Sequence, residues 1–187
     1  EDIKALLLLN RLSIGGGSHV RALLQQNIAP SEILSRVSAG NFLGKAEALE
    51  AVRKVFDPER ELEICDQKSI RILTFSDLDY PALLKQISDP PIVLYLRGSL
   101  LEFDQAALAV VGSRHPSFYG INQAKQLSRE LARAGLTIVS GLARGIDQAA
   151  HEAALEISYG RSIAVLGCGV DRIYPPENRK IYEQLIE

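Results

Sequence analysis

Ala107-Leu108-Ala109-Val110-Val111-Gly112-Ser113-Arg114 opens with five apolar residues in a row and ends in a glycine turn. Nothing polar alternates within the run, so it reads as a strand buried on both faces. An amphipathic stretch follows over about 120–134 and is closed by Gly135. The pattern then repeats. Residues 136–139 are a second apolar run, Ser140 to Gly145 its turn, and about 147–157 its helix. Residues 162–166 make a third strand, followed by Gly167-Cys168-Gly169 and the Tyr174-Pro175-Pro176 turn, with 177–186 helical. Strands alternating with helices predict parallel βαβ units with right-handed crossovers, an α/β Rossmann-like sheet.

Upstream the period differs. Residues 1–60 read as a small all-α unit. Ala5, Leu6, Leu8, Leu9 and Leu12 can share the buried side of a first helix, and Ser18 can cap a second. Pro30-Ser31 restarts the chain, and a helix over 46–56 is expected to end before Pro58. Residues 61–104 read as a connector leading into the sheet, with short strands near Ile72 and over 92–96. Residues 105–187 form the Rossmann-like part.

The chain has 187 residues, 47% hydrophobic and 24% charged, which is globular composition rather than disorder. No apolar run approaches ~18 residues, so no membrane span is expected. The start carries Glu1 and Asp2 and lacks the basic region of a secretory signal. Cys65 and Cys168 lie far apart without metal-ligand spacing, which fits reduced thiols and a cytoplasmic location. The net charge of −2 argues against coating nucleic acid by bulk electrostatics but leaves room for a local basic pocket.

In open α/β sheets, ligands bind beyond the carboxyl ends of the strands. Three glycine-rich loops stand there: Gly112-Ser113-Arg114, then Ser140-Gly141-Leu142-Ala143-Arg144-Gly145, then Gly167-Cys168-Gly169. The residues alone leave two readings, tight βα turns or an anion cradle. In the second, converging N–H groups, the hydroxyls of Ser113 and Ser140, and the guanidinium forks of Arg114 and Arg144 would hold phosphate. The first loop lacks G-x-G-x-x-G, and no Walker lysine motif occurs, so classical dinucleotide binding and P-loop chemistry are not expected. Asp147 can cap a helix, with His151 four residues on as a helix-face histidine or as a polar partner of the loop. Asp147 and His151 lack a third metal ligand, and neither Ser113 nor Ser140 sits in a G-x-S-x-G elbow. No catalytic set, metal or cofactor is therefore expected. In the helical part, Leu12-Ser13-Ile14-Gly15-Gly16-Gly17 reads first as a glycine-rich helix connection and is also similar to the h-x-h-G-x-G hairpin that contacts nucleic-acid backbones, although the nearest basic residues, Arg11, His19 and Arg21, are sparse.

Several segments together are specific. They are Asp89-Pro90-Pro91, Arg97-Gly98, Val110 to Arg114, Ile138 to Asp147 with Ala150-His151, Ile163 to Gly167, and Asp171 through Tyr174-Pro175. In this order over roughly 80–187, the sequence resembles the DNA-processing protein A family, also called Smf. The N-terminal part is similar to that family's SAM-like or helix-hairpin-helix-like domain. The resemblance implies a non-enzymatic protein that binds single-stranded DNA during DNA uptake in natural transformation and helps load the RecA recombinase, as a homodimer in the full-length protein. It implies DNA and phosphate contacts at Gly112, Ser113, Arg114, Ser140, Gly141, Ala143, Arg144, Gly145 and Asp147, with Arg114 foremost. Phe118 and Tyr119, just after the first loop, are candidates for base stacking. The family's later F-P-x-R-N-R motif does not occur in this sequence, so the sheet is expected to be incomplete at its C-terminal side.

Two other readings use the same residues. One is a nucleotide-binding enzyme of the lysine-decarboxylase-like phosphoribohydrolase group, whose P-G-G-x-G-T-x-x-E run does not occur in the sequence. The other is a scaffold that binds a protein partner through the N-terminal helices.

Overall fold

The computed structural model describes residues 1–12, 18–40 and 45–187. The chain divides into two compact units, Glu1–Leu96 and Arg97–Glu187.

The first unit holds α1 (Asp2–Leu12), α2 (Ser18–Gln25), α3 (Pro30–Ser38), α4 (Ala46–Val55), α5 (Pro58–Gln67), β1 (Arg71–Thr74) and β2 (Val93–Leu96). Helix α1 was expected to bury one side. It is instead surrounded: Leu7 is as buried as Leu6, Leu8 and Leu9, and α3, α4, α5 and β2 all pack on it. A helix apolar all round belongs inside a core. Helix α5 departs from the expected connector. Pro58 does follow the end of α4, but it also opens a new helix at its first position, where proline needs no N–H partner. Asp57 caps that helix by accepting from the amides of Glu59 (2.9 Å) and Arg60 (3.4 Å). β1 and β2 pair antiparallel, Arg71 opposite Leu96 and Thr74 opposite Val93.

The glycine hairpin at 13–17 lies outside the described residues, but the basic residues beside it have structural partners. Arg21 is buried and bonds Asp89 and the carbonyls of Ser88 and Pro90. Arg11 lies 4.6 Å from the centroid of the Phe56 ring and 3.7 Å from Glu61.

The second unit holds β3 (Ala107–Ala109), α6 (Phe118–Arg133), β4 (Thr137–Ser140), α7 (Ile146–Leu155), β5 (Ser162–Ala164) and α8 (Arg179–Ile186). The strands run parallel in the order β3-β4-β5, with Ala107 beside Thr137 and Ile138 beside Ser162. The expected Rossmann-like α/β core is present. Helices α6 and α7 pack on each other and on β4, with Ala132, Ala150 and Ala154 giving the close approach over Val110 and Ile138.

The central strand β4 is buried on both faces as the apolar runs suggested, but β3 and β5 are more open. Val111 and Val165, neighbours of the core residues Val110 and Ala164, are exposed. The order of the strands explains this. Consecutive crossovers of one hand, stepping in one direction across a sheet, return their helices over the same face.

Arg161 and Arg97 are both engaged within the unit. Arg161 grips Asp104 through Nε and Nη2, both at 2.9 Å, and Thr137 Oγ1 donates to the same carboxylate at 2.7 Å. Burial pushes the Asp104 carboxyl up. The hydrogen bonds from Arg161, the Leu101 amide and Thr137 outweigh it, and the net shift is downward. Arg97 donates to the Tyr182 hydroxyl at 2.9 Å.

His151 is fully buried. Its Nδ1 lies 2.7 Å from Ser162 Oγ, and that hydroxyl donates its one proton to the Ile138 carbonyl at 2.8 Å. Ser162 must then accept, so Nδ1 carries the hydrogen and Nε2 is a bare, unpartnered lone pair. Desolvation lowers the pKa to about 4 against a smaller opposing pull from Asp147. The folded pKa lies below the unfolded one, so the unfolded chain binds the extra proton between them. The neutral ring's contribution is complete above about pH 6.5 and is lost as pH falls towards 4, amounting to about 2–3 kcal/mol. Denaturant unfolding across this window should show a shallower pH slope in His151→Gln than in wild type.

Candidate functional site

The three glycine-rich loops do converge at the carboxyl ends of β3, β4 and β5. What joins the first two is a missing side chain. Gly145 has φ +82°, and a Cβ there would stand 2.4 Å from the Ser113 carbonyl oxygen. That carbonyl accepts from the amide of Ile146 at 3.2 Å. Gly112 rests against Ile146 just as closely, since a Cβ on it would lie 2.8 Å from that side chain. The start of α7 is thereby wedged into the first loop.

This wedge uses the donors of the helix end. Ile146 N is bonded to Ser113, Gln148 N to the Ala143 carbonyl, and Ala149 N to the Gly145 carbonyl. The Asp147 carboxylate turns inward, accepting from Ala143 N at 3.4 Å, and a Cβ on Gly141 would lie 2.8 Å from it. Ser140 is also buried and donates to the Val110 carbonyl at 2.7 Å, tying β4 to β3. Ser113 Oγ accepts from the His115 amide. Ser140, Gly145 and Asp147 therefore build the loop, while other residues face the space beside it.

That space is a cavity of about 410 Å³. Arg114 comes to it from the first loop, Gly141, Ala143 and Arg144 from the second, and Gly167 and Cys168 from the third. Leu166, Tyr174 and Pro175 complete its wall. Phe118 and Tyr119 are exposed at the start of α6 and are not among the lining residues. Tyr174 lies 60 residues from Arg114, and only folding brings the two to one cavity.

The two arginines differ in their partners. Among the described residues, no carboxylate pairs with Arg114. Arg144 Nε donates to Glu177 Oε1. The hydrogen bond from Arg144 pulls the Glu177 carboxyl below its ordinary range, and the same bond raises Arg144. Glu177 sits in the 3-10 turn Pro176–Asn178, which is bolted to the second loop by its neighbour. Asn178 is fully buried, and its Nδ2 donates to the carbonyls of Leu142 (2.9 Å) and Ala143 (3.4 Å). Leu142 itself holds φ 57°, an uncommon conformation for a branched side chain. Sequence reading missed Glu177 and Asn178, although their place just after Tyr174-Pro175 put them at the crevice rim.

The sequence profile of DNA recombination-mediator protein A matches residues 71–187. The chain belongs to that family. Protein Smf of Synechocystis is 44% identical over 137 residues, covering 71% of this chain and 34% of that protein. DNA processing protein DprA of Bacillus subtilis is 36% identical over 144 residues, 75% of this chain and 48% of that one. The chain thus spans between a third and a half of these curated relatives. Among solved structures it is similar to DNA processing protein A from Helicobacter pylori, studied for its single-stranded DNA binding mode. That match has TM-score 0.55 at 32% identity and covers 64% of this chain and 54% of that one. DprA from Streptococcus pneumoniae matches with TM-score 0.56 at 32% identity, over 81% and 57% of the two chains. No helix among the described residues is long and apolar enough to cross a membrane.

The wedge can be tested by two glycines of positive φ. Gly135 has φ +85° with open space around it, so Gly135→Ala meets only left-handed strain, about 1 kcal/mol. Gly145 combines φ 82° with ψ −119°, so Gly145→Ala meets positive-φ strain and the Ser113 carbonyl as well. It should lower stability by at least about 2 kcal/mol, read as the difference between the two variants in denaturant midpoints.

Proposed function

We propose that the chain binds single-stranded DNA by its backbone, with phosphates held in the cavity that the three loops line. The observation that carries the reading is the convergence of Arg114 and Arg144 on one concave wall with the glycine backbone of Gly141. Guanidinium forks suit phosphate oxygens, and a glycine wall lets a strand approach closely. Two positioned cations are enough for a local backbone site on a chain with net charge −2. Gly112, Ser113, Ala143 and the fixed geometry of Ser140, Gly145 and Asp147 serve the same site by shaping its two loops. Tyr174 offers a ring beside the arginines, and Phe118 and Tyr119 offer two more on the approach from α6.

The relatives' names and the Helicobacter structure support DNA as the ligand class. In the whole protein we assign this binding to loading of the RecA recombinase during DNA uptake in natural transformation, with a homodimer as the working unit. A cytoplasmic location goes with that partner. Each of these rests on family membership. The SAM-like or helix-hairpin-helix-like identity of the first unit is a proposal of the same kind, supported by its short helices gathered around α1.

Fluorescence anisotropy with labelled oligo-dT over a series of salt concentrations tests the site. Arg114→Ala should weaken binding about tenfold, and the slope of log affinity against log salt should flatten by about 0.7. Unchanged affinity and slope would remove Arg114 from the site. Tyr174→Ala should cost about fivefold or more if its ring carries a base, whereas a comparable loss in Phe118→Ala or Tyr119→Ala would move the stacking to α6.

A further inference from the structure

We infer that Glu177 is a built-in competitor for the phosphate site, a carboxylate that holds the Nε edge of Arg144 and offsets its charge until a DNA phosphate displaces it. The inference rests on the phosphate-binding reading of the cavity and goes beyond it, because it names a residue that opposes binding.

Arg144 lines the cavity, and its Nε edge is already donated to a carboxylate oxygen. A carboxylate and a phosphate seek the same donors with the same charge and fork geometry. While the pair is closed, the cavity presents one uncompensated guanidinium, Arg114, rather than two.

An exposed ion pair on a flexible surface would carry little meaning. This one is not free to drift at its backbone. Asn178, next in sequence to Glu177, is buried and ties its turn to the carbonyls of Leu142 and Ala143. Ala143 is the residue before Arg144. The donor and the competing acceptor are therefore carried on two segments fixed to each other, which reduces the ordering cost that weakens most surface pairs. Both side chains remain about half exposed, so an incoming phosphate can reach them. The pair closes without DNA and opens at modest cost with it.

The consequence is a weaker site with a shallower salt dependence than its two arginines would give. Glu177→Gln removes the competing charge and keeps the side chain's shape. It should raise affinity for oligo-dT about two- to fivefold and steepen the salt slope by about 0.7, as Arg144 becomes free to neutralise a phosphate. Glu183→Gln is the control for net charge alone, since Glu183 pairs with Arg179 (3.7 Å) on α8. It should change neither value. In an Arg144→Ala background, the gain from Glu177→Gln should vanish.

Three results would overturn the inference: no gain or a loss in Glu177→Gln, an equal gain in Glu183→Gln, or a gain that survives removal of Arg144. If Arg114→Ala and Arg144→Ala both leave wild-type binding intact, the cavity itself is not the phosphate site and the inference falls with it. If both weaken binding while Glu177→Gln does not strengthen it, the site stands and only the competitor role fails.

Discussion

The hydrogen bond from the Ile146 amide to the Ser113 carbonyl, closed over a glycine with no side chain, is the contact on which the site depends. It joins two loops that belong to different βα units. Without it Arg114 and Arg144 would each stand at the end of a separate strand. With it they line one cavity. The same contact decides what kind of anion site this can be. A helix N-terminus attracts anions through its unpaired amides. Here the first amide of α7 goes to Ser113, Gln148 closes back on Ala143, and the Asp147 carboxylate fills the interior of the loop. These three groups are spent within the loop, so the charge that side chains bring to the cavity, and the pairing of each guanidinium, matters.

The α/β core was legible because its signals are local. Short, largely apolar runs, each followed by a glycine-bearing turn and then an amphipathic stretch, define a strand, a turn and a helix without reference to anything distant. Arg114, Gly141, Ala143 and Arg144 could be placed at the strand ends by the same reasoning, and they line one cavity. The distinction between loop-building and cavity-facing residues was not legible. Ser140 and Arg144 look equally available in the sequence. Only the fold shows that one serine hydroxyl is consumed by Val110 while the guanidinium reaches the crevice.

What the sequence concealed involves partners far apart in the chain. Asp104 and Arg161 are 57 residues apart, and either alone reads as a surface charge. Their contact fixes the segment before β3 to the segment before β5. Asn178 reaches 36 residues back to Leu142, where it holds a backbone conformation that leucine seldom adopts. Pro58 shows the opposite difficulty, a local signal with two meanings. Proline ends the helix before it and begins the one after it, and Asp57, as the cap, selects the second meaning. The openness of β3 and β5 follows from strand order, which no apolar run encodes.

Charge is the property that these arrangements change most. A net charge of −2 suggests a surface indifferent to nucleic acid. In the second unit five of the ten lysines and arginines are matched in place: Lys125 with Glu152, Arg129 with Glu156, Arg144 with Glu177, Arg161 with Asp104, Arg179 with Glu183. Such matching cancels the field at a distance and leaves contact-range differences intact. Of the cations left without a carboxylate partner among the described residues, Arg114 is the one that lines the cavity. Arg144 lies between the two cases, in the cavity and paired. Affinity for a polyanion here is governed less by how many cations the chain carries than by which of them a phosphate can claim. Converting one matched cation into an unmatched one doubles the contact charge of the cavity, from one to two, by a single unit that hardly alters the charge of the whole chain.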